Sequence, residues 1–491
     1  MTYFFETYGC QMNKAESGAA QQLLLDAGWL PAASPEECDL AIINTCSVRE
    51  TAEIRIIGRL GWYAGLKAVR RGASGAKTDA YKIAKEKAQG KPLTLIVMGC
   101  MAQRLLKTLK KDYPVIDYAV GTFQKHKIAD IAASVSNAGA SDFLPMLGVT
   151  GADDSDDSAD SEYAFSRLSL EAGAHSAYVP VMHGCNNFCT YCIVPYVRGR
   201  EVSRNPQHIL AELDELAARG AKEVTFLSQN VNSYRFDTNG IGIGIVDFPQ
   251  LMETVATHLA KTDSPIRWLR FLSSHPKDLS ERLVDLVCTN SRFCNHIHLP
   301  LQSGSTKILS EMNRKYSAEE YLEKIAMMRQ NAQRHALSLA ITTDILTGFP
   351  GETDTDFEQT LQILRQVEFD AAFTYYYNPR SGTPAEKMPE QLPLSVKKER
   401  LQKIVELQLH ITRIKMKNRL GRTETVLVNS KARRQKVGIA ESAATFTAKT
   451  KDDFRVVFEA PDSADNKVES GDFVELTLSE LTGNTFYGIL L

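Results

Sequence analysis

The sequence predicts an α/β protein in three parts: an N-terminal parallel α/β domain, a central partial (β/α) barrel, and a small antiparallel β-barrel at the C-terminus. Three observations predict it. A strand–loop–helix unit repeats before residue 135, six further strand segments alternate with helical ones from residue 176, and beyond a long basic helix short strands are punctuated by glycine turns. Strands alternating with helices imply parallel sheets whose loops gather at the carboxyl edge, and a run of short strands implies a compact closed barrel. The expected boundaries are 1–135, a linker over 136–175, 176–420 and 421–491. With 491 residues, 43% of them hydrophobic, the chain can give each part its own core.

The N-terminal units are "TYFFETYGCQMNKAESGAAQQLLLDAG", "CDLAIINTCSVRETAEIRIIGRL" and "LTLIVMGCMAQRLLKTLK". In each, one cysteine stands just after the strand: Cys10, Cys46 and Cys100. Parallel order brings such loops to one crevice. Cys38 precedes its strand and reads as a packed thiol. The stretch "GLKAVRRGASGAKTDAYKIAKEKAQGK" is a basic, partly helical insertion, expected to be solvated. Acidic "GADDSDDSADSE" marks the linker.

In the central part the expected strands are "YVPVMHG", "EVTFLSQN", "IRWLRFLSS", "HIHLPLQSG", "LAITTDILTGFPG" and "AAFTYYYNP". Chemistry in such a barrel collects at the carboxyl ends of the strands. "GIGIGI" at Gly240 lacks the strand and helix of a nucleotide motif and reads as a loop. The helix "LSVKKERLQKIVELQLHITRIKMKNRLGR" follows, then strands "TETVLVNS", "RVVFEA", "DFVELTLSEL" and "TFYGILL", with turns at Gly471 and Gly483.

The formal net charge of -2 neither announces nor excludes a nucleic-acid partner, so binding would need a local patch. The best patch is Arg413, Lys415, Lys417, Arg419 and Arg422, with Arg433, Arg434 and Lys436 soon after; its alternative is a solvated helix face. No apolar run is long enough to span a membrane. "MTYFFETYGCQMNK" lacks the pattern of a secretory signal, and nine cysteines without one argue for reduced thiols in the cytoplasm. Nothing demands more than a monomer.

"MHGCNNFCTYCIVPY" puts Cys185, Cys189 and Cys192 into eight residues as C-x3-C-x2-C. Structural zinc wants a fourth ligand, and His183 is awkwardly spaced. Three thiolates can instead hold a 4Fe–4S cluster and leave one iron open, so the spacing favours a cluster over zinc. With Tyr191 before the last cysteine, the motif resembles the radical S-adenosylmethionine (SAM) superfamily. That resemblance implies SAM on the open iron, split by one electron from a low-potential donor into methionine and a 5′-deoxyadenosyl radical. It also implies cofactor contacts from Gln302, Ser303 and Gly304 in "HLPLQSGS", and from Asp344, Gly348, Gly351 and Glu352 in "TDILTGFPGET". Each stretch alone reads equally as a strand-to-helix turn. No protein acid or base stands out beyond the cluster ligands.

Cys10, Cys46 and Cys100 repeat the three-thiolate logic; buried apolar cysteines are the alternative. The order of parts, with "YGCQMN", "NTCSVRE" and "MGCMAQR", resembles the methylthiotransferase family along essentially the whole chain. The resemblance implies that these three cysteines hold a second 4Fe–4S cluster and that the terminal barrel is of the TRAM type. It further implies that the radical removes a hydrogen, sulfur from the second cluster takes its place, and a second SAM gives the methyl group. A sulfur source must replenish that cluster. "GCNNFCTYCIVPYVRGREVSR", "SQNVNSY" and "HLPLQSGS" resemble the branch acting at C2 of N6-isopentenyladenosine beside the tRNA anticodon. The same chemistry on threonylcarbamoyladenosine or on a ribosomal-protein aspartate is the nearest alternative; a non-catalytic iron–sulfur carrier and a zinc-dependent RNA-binding protein belong to other classes. An anticodon-loop base would be extruded to reach the radical. Asn230 and Asn232 could meet a base edge or stabilise a turn. Tyr234 and Tyr375 to Tyr377 are stacking candidates, with core packing expected for most.

Overall fold

The computed structural model describes residues 1–47, 50–73, 79–137, 174–238, 244–432, 443–461 and 467–491. Most of the 136–175 linker, the Gly240 loop, and Arg433, Arg434 and Lys436 therefore lie outside the described residues. The chain divides into two compact units. One comprises Met1–Glu171, Tyr178–Asn186 and Ile193–Val202; the other comprises Ala172–Ala177, Asn187–Cys192 and Ser203–Leu491.

The first unit holds a five-stranded parallel sheet, in the order Leu30–Pro31, Thr2–Thr7, Leu40–Thr45, Thr94–Gly99, Tyr118–Val120. Strand Leu40–Thr45 is buried throughout, because alternate side chains feed two cores. Ala41 and Ile43 pack with Leu60, Tyr63 and Leu66 of helix Glu50–Arg70, while Leu40 and Ile42 pack with Ala20 and Leu24 of helix Gln11–Asp26. That is why its sequence is a nearly continuous apolar run. The basic insertion contributes helix Asp79–Ala88, seated by the Tyr81 ring stacked 6.1 Å from Trp62. It is not simply solvated: the Arg70 guanidinium is buried and donates to the Glu36 carbonyl at 2.6 Å. Cys38 is the packed thiol expected, with burial pushing its pKa to about 12.

In the second unit strand Glu223–Leu227 pairs in parallel with Trp268–Phe271, and a single bridge joins Leu269 to Phe293, in the segment that leads into strand His296–His298. Ala340–Thr347 and Ala371–Tyr376 continue the parallel order. The first strand of the series, Ser176–Pro180, begins in this unit, with the Ser176 hydroxyl on Glu223 at 2.8 Å. The intervening helices start on side-chain caps read directly from the sequence. Asn205, Asp247 and Ser280 each accept a first-turn N–H, and Ser317 with Glu320 and Thr353 with Asp356 form full capping boxes. Each cap stabilises its helix by about 1 kcal/mol.

The closed barrel runs Thr423–Lys431, Ala443–Thr450, Arg455–Pro461, Thr485–Leu490, Phe473–Thr482. Sequence reading gives four of these strands and misses Ala443–Thr450. Its inward positions Ala444, Phe446 and Ala448 are mostly small, so "AATFTAKT" carries little hydrophobic signal.

Glu223 ties this barrel to the parallel sheet. Its buried carboxylate takes Arg270 Nε at 2.6 Å and the Lys449 ammonium, while Arg270 also donates to the Thr450 carbonyl at 3.0 Å. Burial alone would raise the Glu223 pKa, but Lys449 and Arg270 outweigh it and hold it at about 2. Glu223→Gln leaves the buried Arg270 and the half-buried Lys449 without their carboxylate and is expected to cost about 3 kcal/mol at pH 7. A depressed carboxyl contributes its stability above the unfolded pKa of about 4.3 and loses it as pH falls toward the folded value. Urea denaturation across pH should therefore show the wild-type advantage shrinking between those two limits. A constant advantage would contradict the assignment.

Candidate functional site

In the first unit three adjacent parallel strands end in cysteines. Cys10 caps helix Gln11–Asp26 after strand Thr2–Thr7, Cys46 follows Leu40–Thr45, and Cys100 opens helix Cys100–Asp112 directly after Thr94–Gly99. Two asparagines fix these ends. Asn13 Nδ2 donates to Asn44 Oδ1 and to the Thr45 carbonyl, both at 2.9 Å, and Asn44 Nδ2 returns a bond to the Asn13 carbonyl at 2.9 Å. A Cβ on Gly99 (φ +94°) would stand 2.4 Å from Asn44 Oδ1 and 2.6 Å from the Thr45 carbonyl oxygen. Gly99→Ala is therefore expected to destabilise by about 2–4 kcal/mol and to lower iron retention. A thermal melt with iron analysis checks both.

A hydrogen bond from Cys46 and the charge of Arg198, aided by Asn13, hold the Cys10 thiol down to about 6 against its burial. Burial raises Cys100, which also faces Arg198. That guanidinium is buried and forks onto Glu16 at 2.7 and 3.1 Å. Ile193, at the N-cap of helix Val194–Arg198, and Val197 within it pack on Cys100. Thiols facing a buried cation suit a group held by thiolates. Among the described residues no three His, Cys, Asp or Glu side chains converge on a single metal ion. In a cubane each thiolate binds a different iron, which holds the ligands further apart than single-ion coordination does.

The second cysteine set lies on the stretch where the division between the units falls: Cys185 in the first, Cys189 and Cys192 in the second. Cys185 N–H donates to the Gly199 carbonyl at 3.1 Å. In the second unit the segment Met312–Tyr316 braces the loop. Thr190 N–H donates to Met312 O at 3.1 Å, and Asn313 Nδ2 donates to the carbonyls of Asn187 and Phe188 at 3.2 and 2.9 Å. Arg314, buried, donates to Cys189 Sγ at 3.4 Å and to the Tyr316 hydroxyl at 3.1 Å. This cation beside a thiol suits a thiolate-held cluster. Sequence reading missed Asn13, Asn44, Arg198 and Arg314. An asparagine ending the otherwise apolar "LAIIN" was an available signal for Asn44; Arg314 had none.

The predicted cofactor residues divide by what they touch. The Tyr191 ring lies 6.5 Å from Phe349 in the turn carrying Gly348 and Gly351. Gln302 N–H donates to Asp344 O at 2.8 Å, which sets the two strand ends side by side. Ser303 is buried and accepts from Ser305 N–H at 3.2 Å. A Cβ on Gly304 would reach 2.5 Å from Thr360 Cα, so this glycine lets helix Asp354–Val367 approach. Glu352 is likewise committed within the protein, accepting from Gly348 N–H at 2.7 Å and pairing with Arg400 at 2.6 Å. Asp344 Oδ2 meets His298 Nε2 at 3.3 Å.

Of the basic residues, Arg413, Lys417 and Arg422 are exposed. Lys415 pairs with Asp370 at 2.9 Å, and Arg419 is buried against Asp452. Asn230 donates to Asp278 at 2.7 Å and Asn232 accepts from His275 N–H at 3.0 Å, the turn-stabilising alternative. Tyr234 and Tyr377 are buried, whereas Tyr375 is exposed.

Family models match residues 179–364 as the radical SAM superfamily and residues 2–121 as uncharacterized protein family UPF0004. A tRNA-2-methylthio-N(6)-dimethylallyladenosine synthase of Treponema denticola is 44% identical over 488 residues, 99% of each chain. One of Caldicellulosiruptor saccharolyticus is 39% identical over 463 residues, covering 93% of this chain and 88% of its own. Among solved structures, the radical S-adenosylmethionine methyltransferase TsrM of Kitasatospora setae superposes with a TM-score of 0.52 at 12% identity, over 78% of this chain and 77% of its own, a likeness of fold alone. Near-full-length identity at this level, on a chain with a parallel N-terminal sheet, a radical SAM core and a closed terminal barrel, shows that this chain belongs to the radical SAM methylthiotransferase family, among the tRNA-2-methylthio-N(6)-dimethylallyladenosine synthases.

Proposed function

We propose that the protein converts N6-dimethylallyladenosine beside the tRNA anticodon into its 2-methylthio derivative. The observation that carries this reading is the presence of two separate cysteine triplets in a chain of this family. Cys185, Cys189 and Cys192 would hold the 4Fe–4S cluster that binds SAM, and Cys10, Cys46 and Cys100 a second one. When bound, these groups supply the radical, the sulfur and, from a second SAM, the methyl group.

The chain's own residues hold and shield. Arg314 donates to Cys189 Sγ, and Arg198 faces Cys10 and Cys100, so each cysteine set has a buried cation beside it to offset the negative charge of a thiolate-held cluster. SAM contacts come from the loops of Tyr191, Gln302, Ser303, Asp344, Gly348 and Gly351, with Gly304 and Glu352 ordering them. Residues 1–135, 176–420 and 421–491 act as the second-cluster domain, the radical core and an RNA-binding TRAM barrel, joined by 136–175. Arg413, Lys417 and Arg422 offer exposed charge to phosphates, which makes binding salt-dependent. A low-potential electron donor and a sulfur source act from outside the chain.

Anaerobically reconstituted protein, SAM, a strong reductant and a prenylated anticodon stem-loop test the reading, with digested nucleosides weighed by mass spectrometry. A SAM-dependent methylthio adduct on the prenylated adenosine is expected. An adduct only on a threonylcarbamoylated stem-loop would overturn the substrate assignment.

A further inference from the structure

One face of the second unit's sheet departs from parallel-sheet convention. Both faces of such a sheet are ordinarily apolar and covered. Here Ile297, Ile341 and Ile345 are at most 4% exposed, but their alternating neighbours are His296, His298, Thr342 and Asp344. The register places Phe373 beside Asp344 and Tyr375 beside Leu346 on that same face. Phe373 is 57% and Tyr375 41% exposed, large aromatic surface left open on a strand in the sheet interior's own register.

The polar groups beneath are ordered. His298 Nδ1 meets Thr342 Oγ1 at 2.9 Å and its Nε2 meets Asp344 at 3.3 Å, while His296 Nε2 reaches the same Thr342 oxygen at 2.7 Å. The bonds are mutually consistent when His296 donates to Thr342, Thr342 donates to His298, and His298 donates to Asp344. His298 is thus held with its ring 5.8 Å from that of Phe373. The face is continuous with the cysteine loop: Arg314 touches both Cys189 and Tyr316, and the Tyr316 hydroxyl donates to the Leu301 carbonyl at 2.7 Å, next to Gln302, whose N–H donates to the Asp344 carbonyl at 2.8 Å.

We propose that Phe373 and Tyr375 form the shelf that receives the extruded prenylated adenine, with Phe373, next to His298 and Asp344, selecting the apolar N6 substituent. Residues two apart on a strand stand about 6.6 Å from each other, the span of a purine, and aromatic rings stack on bases irrespective of hydrogen bonding. The shelf residues include no cation, which argues against a phosphate as occupant, and the Asp344 carboxylate disfavours an N6 substituent that itself carries a carboxylate. The inference rests on the functional reading above and names the residues that give it specificity.

The test compares anaerobic holoenzyme binding to prenylated and unprenylated stem-loops by fluorescence anisotropy. Phosphate contacts cancel in the ratio of the two Kd values. Wild type is expected to prefer the prenylated loop by about tenfold, Phe373→Ala and Tyr375→Ala to bring the ratio towards one, and Phe373→Tyr to keep most of it. Leu409→Ala, exposed on helix Leu394–Lys417, serves as the surface control and keeps the wild-type ratio. An unchanged ratio in both alanine variants, or no preference in wild type, overturns the shelf. Turnover of the prenylated loop by wild type is read alongside. Turnover with an unchanged ratio overturns the shelf alone; absence of any turnover overturns the functional reading, and the shelf with it.

Discussion

Cys46→Ala is expected to abolish methylthio product while 5′-deoxyadenosine still forms. Cys46 ends the central buried strand and is 1% exposed, and its hydrogen bond is the largest influence lowering Cys10. Replacing a thiol by a methyl removes little volume, so the sheet should survive with about 1 kcal/mol lost. What it removes is one of the three ligands proposed for the second cluster. Loss of an outer partner of a metal ligand costs roughly 10–100-fold; loss of the ligand itself should exceed that. The radical half does not draw on Cys46, so cleavage of SAM continues. Chromatography of the nucleosides and of the small products from one reaction reads both. Methylthio product at wild-type yield from Cys46→Ala would remove the second triplet from the chemistry.

Cys189→Ala is expected to lose both products. Its thiol receives the Arg314 donor, and Arg314 is also bonded to the Tyr316 hydroxyl and to the Pro300 carbonyl at 3.4 Å. Removing the sulfur costs the buried guanidinium one of its hydrogen-bond partners, about 1–3 kcal/mol. With no cluster in the C-x3-C-x2-C loop, SAM has no open iron and 5′-deoxyadenosine should fall to background. The Cys10, Cys46 and Cys100 thiols keep their own strand ends, so iron should fall rather than vanish. Measuring 5′-deoxyadenosine and iron in the same preparation decides it. Undiminished SAM cleavage would contradict the loop's role.

The three-part fold was legible because its elements carry strong local signals. Leu40–Thr45 is apolar at every position before Asn44, and Ser317 with Glu320 and Thr353 with Asp356 announce their helices. The barrel strand Ala443–Thr450 was not legible, since alanine and threonine satisfy its pleat without a hydrophobic alternation. The cysteines stood out by spacing and by their place after strands. Their supporting cast did not. Arg198 and Glu16 are 182 residues apart and Cys189 and Arg314 are 125 apart; such pairs are defined only by folding. Gly304 and Glu352, expected from sequence to contact a ligand, also clear a helix and anchor a turn, roles that depend on Thr360 and Arg400 and are defined only by folding. Arg419, expected as an RNA contact, is also ion-paired with Asp452, a partner that only the fold supplies.

The two cysteine triplets are proposed to hold two distinct clusters. Mössbauer spectroscopy with iron and acid-labile sulfide analysis tests this most directly, on reconstituted wild type and on variants with either triplet changed to alanine. Wild type should carry roughly eight iron and eight sulfide per chain, and each triple variant roughly four of each as a single cubane-type signal. A wild type with one cluster, or with zinc and no labile sulfide, would contradict the account, as would a Cys10, Cys46 and Cys100 triple variant that keeps the full wild-type iron.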